Sequence, residues 1–231
     1  MSASSPALPA AQVPKPIPTT SDGPGRRPAI SREDLIEAAL AILGPNRSVS
    51  TLGLREVARE AKIAPNSFYR HFRDIDELAV VLIERAGTSL RAIIGRARNR
   101  ADPNGGVVRS SVEAFFDQLR ADDKLLHLLL REGLVGSDAY KEAVDRQLRF
   151  FEEELRVDLI RLSKLNRVPM HEPALVARAI TRLVFAVGGS AMDLPPERYP
   201  QQIDELTTMV RMIVNGAQAT NRAAGGLGSS A

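Results

Sequence analysis

Apolar residues recur along this chain at the three- and four-residue spacing that places side chains on one face of an α-helix. The pattern predicts a first helix beginning after Ser31, which forms a capping-box pair with Asp34. The buried face of this helix is predicted to be aliphatic: Leu35, Ile36, Ala39, Leu40 and Leu43. A second capping-box pair, Asp74 with Glu77, predicts the start of a long helix that extends to about Arg100.

Two short apolar-periodic segments lie between these helices and are joined by the tight turn Lys62-Ile63-Ala64. Pro65 suits the first position of the second segment, where its fixed φ helps and no backbone donor is lost. Phe68 and Phe72 are four residues apart and would share one buried face. Their partners on the preceding helix would be aliphatic: Leu54, Val57 and Ala58. The arrangement predicts a helix-turn-helix, whose second helix enters the DNA major groove.

The remaining positions of that second helix are nearly all hydrogen-bonding or cationic. Asn66 can pair bidentately with adenine and Arg70 with guanine, whereas Ser67 or Tyr69 can reach phosphates. The alternative is an ordinary amphipathic helix pair with a polar outer face. The aromatic-rich ending of the segment, followed by a new capped helix, favours DNA binding over this alternative.

Beyond residue 106 the pattern stays helical, without the alternation of a β-strand. It predicts successive helices over 107–120, 124–132, 138 to about 167, 173–192 and 201 to about 218. Loops are predicted where Pro or Gly accumulates, at 102–106 and 193–200. The fold class predicted is all-α with about nine helices, in an N-terminal three-helix helix-turn-helix domain and a larger C-terminal helical domain.

Composition and charge narrow the class of protein. With 231 residues, 44% hydrophobic and 26% charged, the chain resembles a soluble globular protein. No apolar run approaches the ~20 residues of a membrane span, and the N-terminus lacks the apolar segment of a signal peptide. We therefore expect a cytoplasmic protein. The net charge of +3 is too small for a purely electrostatic nucleic-acid binder and fits a localised basic face.

Catalytic and metal-binding patterns do not stand out. His71, His127 and His171 are far apart, and the chain has no cysteine, no Gly-x-Ser-x-Gly motif and no Gly-rich phosphate loop after a strand. The carboxylates of 152–154 are consecutive, so they splay around a helix and cannot form a catalytic pair. We predict that the protein is not an enzyme and holds neither a metal nor a cofactor.

Three stretches, 54–58, 65–72 and 76–78, resemble the DNA-binding region of TetR-family transcriptional repressors. Two sequence segments, APNSFYRHF (64–72) and LLLRE (128–132), are similar to regulators of the FabR and DesT type, which control unsaturated fatty acid synthesis. The resemblance covers roughly 32–216. Gly53 departs from it, because the family more often has Ser or Thr at this helix cap, so one phosphate contact is in doubt.

Taken together, the helix pattern and the resemblance predict a DNA-binding surface formed by Arg26, Arg27, Arg55, Pro65, Asn66, Ser67, Tyr69, Arg70, His71 and Arg73. Arg26 and Arg27 are either an arm that reaches DNA phosphates or the minor groove, or a solubilising linker. The cationic stretch Arg91, Arg96, Arg98 and Arg100 is predicted to be a solvated face and not a second DNA site.

The resemblance also implies an acyl-chain pocket between the helices of the larger domain. Its predicted lining is aromatic and aliphatic: Phe115, Phe116, Leu119, Leu126, Leu129, Leu130, Phe150, Phe151, Leu155 and Phe185. It further implies a four-helix interface between two subunits, formed by small and flexible residues: Ala186, Gly188, Gly189, Ala191, Met192, Met209, Met212, Ile213 and Gly216. The alternative is that these residues pack within one subunit.

We therefore predict a homodimeric transcriptional repressor that binds a palindromic double-stranded operator and is switched by long-chain acyl-CoA. The alternatives are a repressor of an efflux or catabolic operon that responds to another hydrophobic molecule, and a helical DNA-binding protein that senses nothing. The predicted domains are a disordered tail (1–25), the DNA-binding domain (26–76), the ligand-binding and dimerisation domain (77–218) and a flexible tail (219–231).

Overall fold

The computed structural model describes residues 30–43, 47–100, 106–121 and 124–226, with side chains described through residue 220. This part of the chain contains α-helices and two short 3₁₀ turns, but no strand. The helices are α1 (Arg32–Ile42), α2 (Leu54–Glu60), α3 (Pro65–Phe68), α4 (Ile75–Arg100), α5 (Val107–Arg120), α6 (Lys124–Val135), α7 (Asp138–Leu165), α8 (Pro173–Ala191) and α9 (Tyr199–Gly226). The all-α prediction is confirmed. The predicted tail 1–25 and the arm residues Arg26 and Arg27 lie outside the described residues.

The capping boxes begin their helices as the sequence predicts. At α1, the Ser31 N–H donates to Asp34 Oδ2 at 2.7 Å, and the Asp34 N–H donates to Ser31 Oγ at 3.1 Å. At α4, the Glu77 N–H donates to Asp74 Oδ1 at 2.8 Å. The return bond to Glu77 Oε2, also 2.8 Å, comes from the N–H of Arg73, one residue earlier than in a standard box. Both sets of bonds satisfy donors that a helix start leaves free.

Helix α4 joins the two halves of the molecule. It packs on α1, where Arg85 pairs with Glu33 and Glu37, and on α5, α6 and α7. The buried stripe has helical spacing: Leu78, Leu82, Ile83, Ala86, Leu90 and Ile94. One continuous helix therefore belongs to both packing units.

A row of polar contacts runs along the parallel α4–α7 interface. Arg91 donates to Gln147 Oε1 at 2.6 Å and lies 3.3 Å from Glu154 Oε1. Arg98 donates to Asp158 Oδ2 at 2.7 Å. The prediction of a solvated cationic face is therefore wrong for these two arginines, which are largely buried against α7, whereas Arg96 and Arg100 are exposed. The periodicity of a helix shows that one face is polar, but it cannot show that the acidic side chains of another helix, here α7, cover that face.

Several helix ends differ from the predicted ones. Helix α6 continues to Val135 and not to Glu132, and α7 ends at Leu165 because Arg167 turns the chain with φ 54°. Helix α9 begins at Tyr199, whose buried ring lies 5.4 Å from that of Phe116. Its backbone continues to Gly226, beyond the predicted end near residue 218.

Among the described residues, one helix, α8, is long and apolar enough to cross a membrane by length and composition alone. Its apolar sequence is interrupted by Arg178 and Arg182. Arg182 lies 2.7 Å from Asp145 and 2.9 Å from Glu152, both on α7. Val176, Ala177 and Ile180 are buried, and α8 packs against α7 and α9, which is the behaviour of a core helix in a bundle.

Candidate DNA-binding surface and ligand cavity

The second helix of the helix-turn-helix is shorter than its apolar pattern predicts. Helix α3 covers only Pro65–Phe68, and the chain then continues in tight turns, with the His71 N–H donating to Phe68 O at 3.0 Å. Phe68 and Phe72 are both buried, with ring centroids 5.6 Å apart. These two rings fix the segment on the small core, as predicted, and turn its polar positions outward.

The turn before α3 has a left-handed residue at its centre. Lys62 has φ 57°, and the following Ile63 N–H donates to Ala58 O at 2.9 Å, which closes the C-terminus of α2. Pro65 occupies the first helical position, and Gly53 begins α2 without a side-chain acceptor. The sequence predicted both of these helix starts.

The predicted reading residues are available to a partner. Asn66, Tyr69 and Arg70 are exposed, Tyr69 by 60%, and their side-chain polar groups make no hydrogen bond within the described part of the chain. Pro65 and Arg55 are exposed as well.

The remaining predicted contacts are more constrained. Ser67 and His71 are half-buried. The Arg73 guanidinium is exposed but lies 2.9 Å from Asp74, so a phosphate would compete with that carboxylate. His71 lies near Asp34, whose carboxyl pKa is lowered chiefly by the backbone N–H and the hydroxyl of Ser31 and only slightly by His71.

An arginine that sequence reasoning missed supports α2. The Arg47 guanidinium donates to both oxygens of Glu56 at 2.8 Å and to the carbonyl oxygen of Thr51 at 2.9 Å. The hydrogen bonds from Arg47 lower the pKa of the Glu56 carboxyl. This bidentate pair holds the 3₁₀ turn Val49–Thr51 against α2.

Two buried side chains, Glu132 and Tyr140, contribute to the contacts between the DNA-binding domain and the larger domain. Glu132 of α6 is completely buried, and its Oε1 accepts the Val49 N–H at 3.0 Å. The Tyr140 hydroxyl of α7 donates to Asp76 in the first turn of α4. Burial, and secondly this hydrogen bond, raise the pKa of Tyr140, so the hydroxyl stays a donor at physiological pH. Sequence reasoning assigned no role to either side chain.

A cavity of about 290 Å³ lies between α4, α5, α7, α8 and α9. Its wall is mainly apolar and includes the rings of Phe115, Phe151 and Phe185. The Phe185 ring centroid lies 5.9 Å from that of Phe115 and 5.4 Å from that of Phe151. Polar groups are confined to a few wall positions: Arg98, Asn99, Ser111, Asp158, Arg161, Ser163, Asn166, Thr181 and Gln218. An elongated, mainly apolar ligand suits such a site.

The cavity contains part of the predicted lining. Phe115, Phe151, Leu155 and Phe185 contribute to its wall. The other aliphatic and aromatic candidates pack in the core and do not line it: Phe116, Leu119, Leu126, Leu129 and Leu130. Phe150 is 53% exposed and carries the Arg91 guanidinium 4.9 Å from its ring centroid. Periodicity identified buried faces but could not distinguish a face that meets another helix from one that borders a void.

Wall residues that the sequence interpretation missed come from every surrounding helix. They include Ile94, Val107, Val108, Leu159, Leu162, Leu165, Met170, Ile180, Val210 and Val214. Except for Met170, which lies in the segment between α7 and α8, each is an ordinary aliphatic residue of its helix, so no local signal separates it from other apolar residues.

Three small residues of α8, Gly188, Gly189 and Ala191, face inward and not toward a second subunit. A Cβ on Gly188 would lie 2.5 Å from Phe115 Cζ, and one on Gly189 would lie 3.0 Å from Leu134 Cδ1. Ala191 is completely buried. For these three residues the predicted intersubunit role is wrong, because they allow α5 and α6 to approach α8. Ala186, Met212 and Gly216 are exposed, and Met192, Met209 and Ile213 are half-buried.

Gly188→Ala tests this close approach. The added methyl group would displace the Phe115 ring toward the cavity, so we expect a loss of about 1–3 kcal/mol in the free energy of unfolding, measured in urea. Gly95→Ala is the matched control, since nothing lies within 4 Å of a Cβ at that helical position. It should stabilise α4 by about 0.5–1 kcal/mol. Equal effects of the two substitutions would contradict the proposed clash.

Comparison with known proteins finds a matching family model and solved structures of similar fold. Residues 35–82 match the family model described as bacterial regulatory proteins, tetR family. A transcriptional regulator from Rhodococcus sp. Rha1 is similar in structure with a TM-score of 0.64 at 19% identity, covering 82% of this chain and 98% of that chain. Salmonella enterica GusR is similar with a TM-score of 0.63 at 15% identity, covering 80% and 95%.

A third solved structure contains a ligand. The multidrug binding protein EbrR, complexed with malachite green, is similar with a TM-score of 0.60 at 16% identity, covering 79% of this chain and 97% of that chain. At these identities the likeness establishes a shared fold. The family match covers the helix-turn-helix and the start of α4, which are the elements that present Asn66, Tyr69 and Arg70.

Proposed function

We propose that this chain, a TetR-type DNA-binding transcriptional regulator, is a homodimeric repressor of genes for unsaturated fatty acid synthesis, switched by long-chain acyl-CoA. The observation that carries the proposal is the apolar cavity, whose wall includes α4, the same helix that begins in the DNA-binding domain. The sequence similarity of 64–72 and 128–132 to the FabR and DesT type supports the choice of ligand.

The mechanism follows from the position of α4. Two helix-turn-helix units in a dimer must sit about one DNA turn apart, or a multiple of it, to contact both halves of a palindrome. A ligand in the cavity bears on the C-terminal half of α4 through Ile94 and Arg98, while the N-terminal half packs on α1. The ligand changes operator affinity only as far as it favours one spacing over the other.

The outer faces of α8 and α9 supply the proposed dimer interface. Leu175 and Met212 are large apolar residues exposed by 60% and 67%. Smaller exposed residues lie on the same two helices: Ala179, Ala186, Ser190, Gly216 and Ala219. Small side chains permit close helix packing, and burial of the two large residues in a second copy would remove apolar surface from water.

EbrR supports a second candidate function. Its complex shows that a protein of this fold, described as multidrug binding, holds malachite green. On that reading, the present cavity binds a different hydrophobic molecule, and the chain represses an efflux or catabolic operon. Both candidates use the same DNA-binding surface and differ in the ligand that changes operator affinity.

The DNA-binding part of the proposal is tested by Asn66→Ala and Arg70→Ala in quantitative binding to DNA from upstream of the gene and to single-base variants of the bound site. Each substitution removes a proposed bidentate base contact, so each should cost about 1–3 kcal/mol and relax the preference at one base pair of each half-site. Arg156→Ala, which removes an equal charge from α7, is the control and should leave the preference unchanged.

Unchanged affinity and preference in both Asn66→Ala and Arg70→Ala would show that α3 does not contact bases. The ligand is then identified by titrating the protein–DNA complex with acyl-CoA thioesters and with hydrophobic cations. Release by a cation, with no response to long-chain acyl-CoA of either saturation, would establish the second candidate function instead.

A further inference from the structure

The cavity wall contains an unequal number of positive and negative groups. Its ionisable residues in the described chain are Arg98, Asp158 and Arg161. Arg98 Nε donates to Asp158 Oδ2 at 2.7 Å, and Arg161 Nη2 donates to Oδ1 of the same carboxylate at 3.1 Å. Two guanidinium groups thus share one carboxylate, which leaves one positive charge in excess at the wall.

The surrounding charges do not cancel this excess. Glu154 lies 3.6 Å from Arg98, but it also lies 3.3 Å from Arg91. With these two residues included, the group contains three arginines (Arg91, Arg98 and Arg161) and only two carboxylates (Glu154 and Asp158). Four exposed cations lie in the last turns of α4 and α7 or just after α7: Arg96, Arg100, Lys164 and Arg167. None of them pairs with a carboxylate within the described residues. Among the described residues, cations therefore outnumber carboxylates at the C-terminal ends of α4 and α7.

Burial strengthens the interaction of this excess charge with a charged ligand. The Arg98 side chain is only 9% exposed, whereas Arg161 is 52% exposed and stands where the cavity meets solvent. A charge removed from water interacts more strongly with a neighbouring charge than an exposed one does. A positively charged ligand would have to approach two guanidinium groups to reach Asp158. A negatively charged group would meet them directly.

We infer that the ligand of this cavity is an amphipathic anion, whose chain lies among the apolar wall residues and whose carboxylate or phosphate lies at Arg98 and Arg161. This inference rests on the proposed function, in that the cavity binds the regulatory ligand. It selects an anionic head group over a neutral or cationic one. A free fatty acid and an acyl-CoA share this chemistry, because the first carries a carboxylate and the second carries phosphates.

The same geometry provides a route to α4. Asp158 of α7 holds Arg98 of α4 near the C-terminal end of the polar row between these helices. A ligand anion that binds Arg98 competes with Asp158 for the same guanidinium. Occupancy therefore weakens one α4–α7 contact, and the resulting shift of α4 favours one spacing of the two helix-turn-helix units.

The test compares four ligands with the same chain and different head groups, measured by titration calorimetry on the full chain. Decanoate and decanoyl-CoA are anionic, decan-1-ol is neutral and decyltrimethylammonium is cationic. Hydrogen bonds to charged groups suggest that at least one anion binds about tenfold more tightly than the alcohol, and that the cation binds more weakly than the alcohol. Tighter binding of decanoate than of decanoyl-CoA identifies a carboxylate site, and the reverse order identifies the phosphates.

Three variants locate the charge effect. Arg161→Gln should weaken binding of the favoured anion several-fold and leave the alcohol unchanged. Arg156→Gln is its matched control, because Arg156 also pairs with a carboxylate three residues earlier on α7 but does not line the cavity. Asp158→Asn should strengthen anion binding, since it removes the competing carboxylate, whereas a merely structural Asp158 would give weaker binding of every ligand.

The outcomes separate this inference from the proposed function. Equal affinities for all four head groups would overturn the anionic-ligand inference and leave a ligand-binding cavity. Tightest binding of decyltrimethylammonium would overturn the inference and favour the drug-responsive candidate. Binding of none of the four would overturn both the inference and the ligand-responsive role of the cavity, while the DNA-binding role would still stand on Asn66 and Arg70.

Discussion

The affinity of this protein for acyl-CoA thioesters is expected to rise about fourfold with each methylene added to the chain, until the apolar part of the cavity is filled. Burial of a methylene contributes about 0.8 kcal/mol, and the wall around Phe115, Phe151 and Phe185 is nearly continuous apolar surface. The measurement is a calorimetric titration with octanoyl-, decanoyl-, lauroyl- and palmitoyl-CoA. Affinity that does not change with chain length would mean that the chain stays outside the cavity.

A narrowed cavity should remove this dependence. Val184 lines the cavity, so Val184→Phe is expected to blunt the response to long chains while leaving ligand-free DNA binding nearly intact. Val157→Phe on the exposed face of α7 is the matched control and should change neither property. Leu129, which the sequence placed in the predicted lining, packs in the core and does not line the cavity, so a Trp there would destabilise the fold instead.

Chain shape provides a further comparison within the same experiment. A cis double bond bends the chain, and a close-packed wall must arrange its side chains differently around a bent and a straight ligand. Palmitoyl-CoA and palmitoleoyl-CoA have equal length and should change operator affinity in opposite directions. Identical effects of the two thioesters would contradict a sensor of fatty acid saturation, although the protein would remain a sensor of long chains.

Glu132→Ala is expected to lower the free energy of unfolding by about 3 kcal/mol. The substitution leaves the Val49 N–H without an acceptor, which costs about 1–3 kcal/mol, and the lost side-chain volume adds a cavity cost. Urea denaturation of the full chain measures this loss. Glu142→Ala, which removes an exposed carboxylate from α7, is the control and should fall within about 0.5 kcal/mol of the parent chain.

A second substitution separates the hydrogen bond from the charge. Glu132→Gln keeps an acceptor for the Val49 N–H, so we expect most of the stability to be retained. Because Val49 begins the 3₁₀ turn that Arg47 holds against α2, Glu132→Ala should also weaken ligand control of DNA binding. A Glu132→Gln variant as unstable as Glu132→Ala would show that the carboxylate charge, and not the hydrogen bond, stabilises the junction.

The sequence by itself determined the local elements of this protein. Capping residues act over three or four positions, so Ser31, Asp74 and Pro65 predicted where α1, α4 and α3 begin. The spacing of Phe68 and Phe72 predicted which side of the α3 segment is buried, and with it that Asn66, Tyr69 and Arg70 face outward. The outward-facing residues of the proposed DNA-binding surface were therefore identifiable without coordinates.

Only the tertiary structure decided which helices meet and where they leave a void. Leu129 and Leu155 look alike in the sequence, yet the first fills the core and the second lines the cavity. In the sequence Arg98 resembles a solvated cation, but in the structure it donates to Asp158 of α7. Glu132 resembles a surface carboxylate in the sequence, but it accepts the N–H of Val49, which is 83 positions away in the chain. The pattern along a helix reports that a face is buried, but its partner is determined by packing between segments distant in the chain.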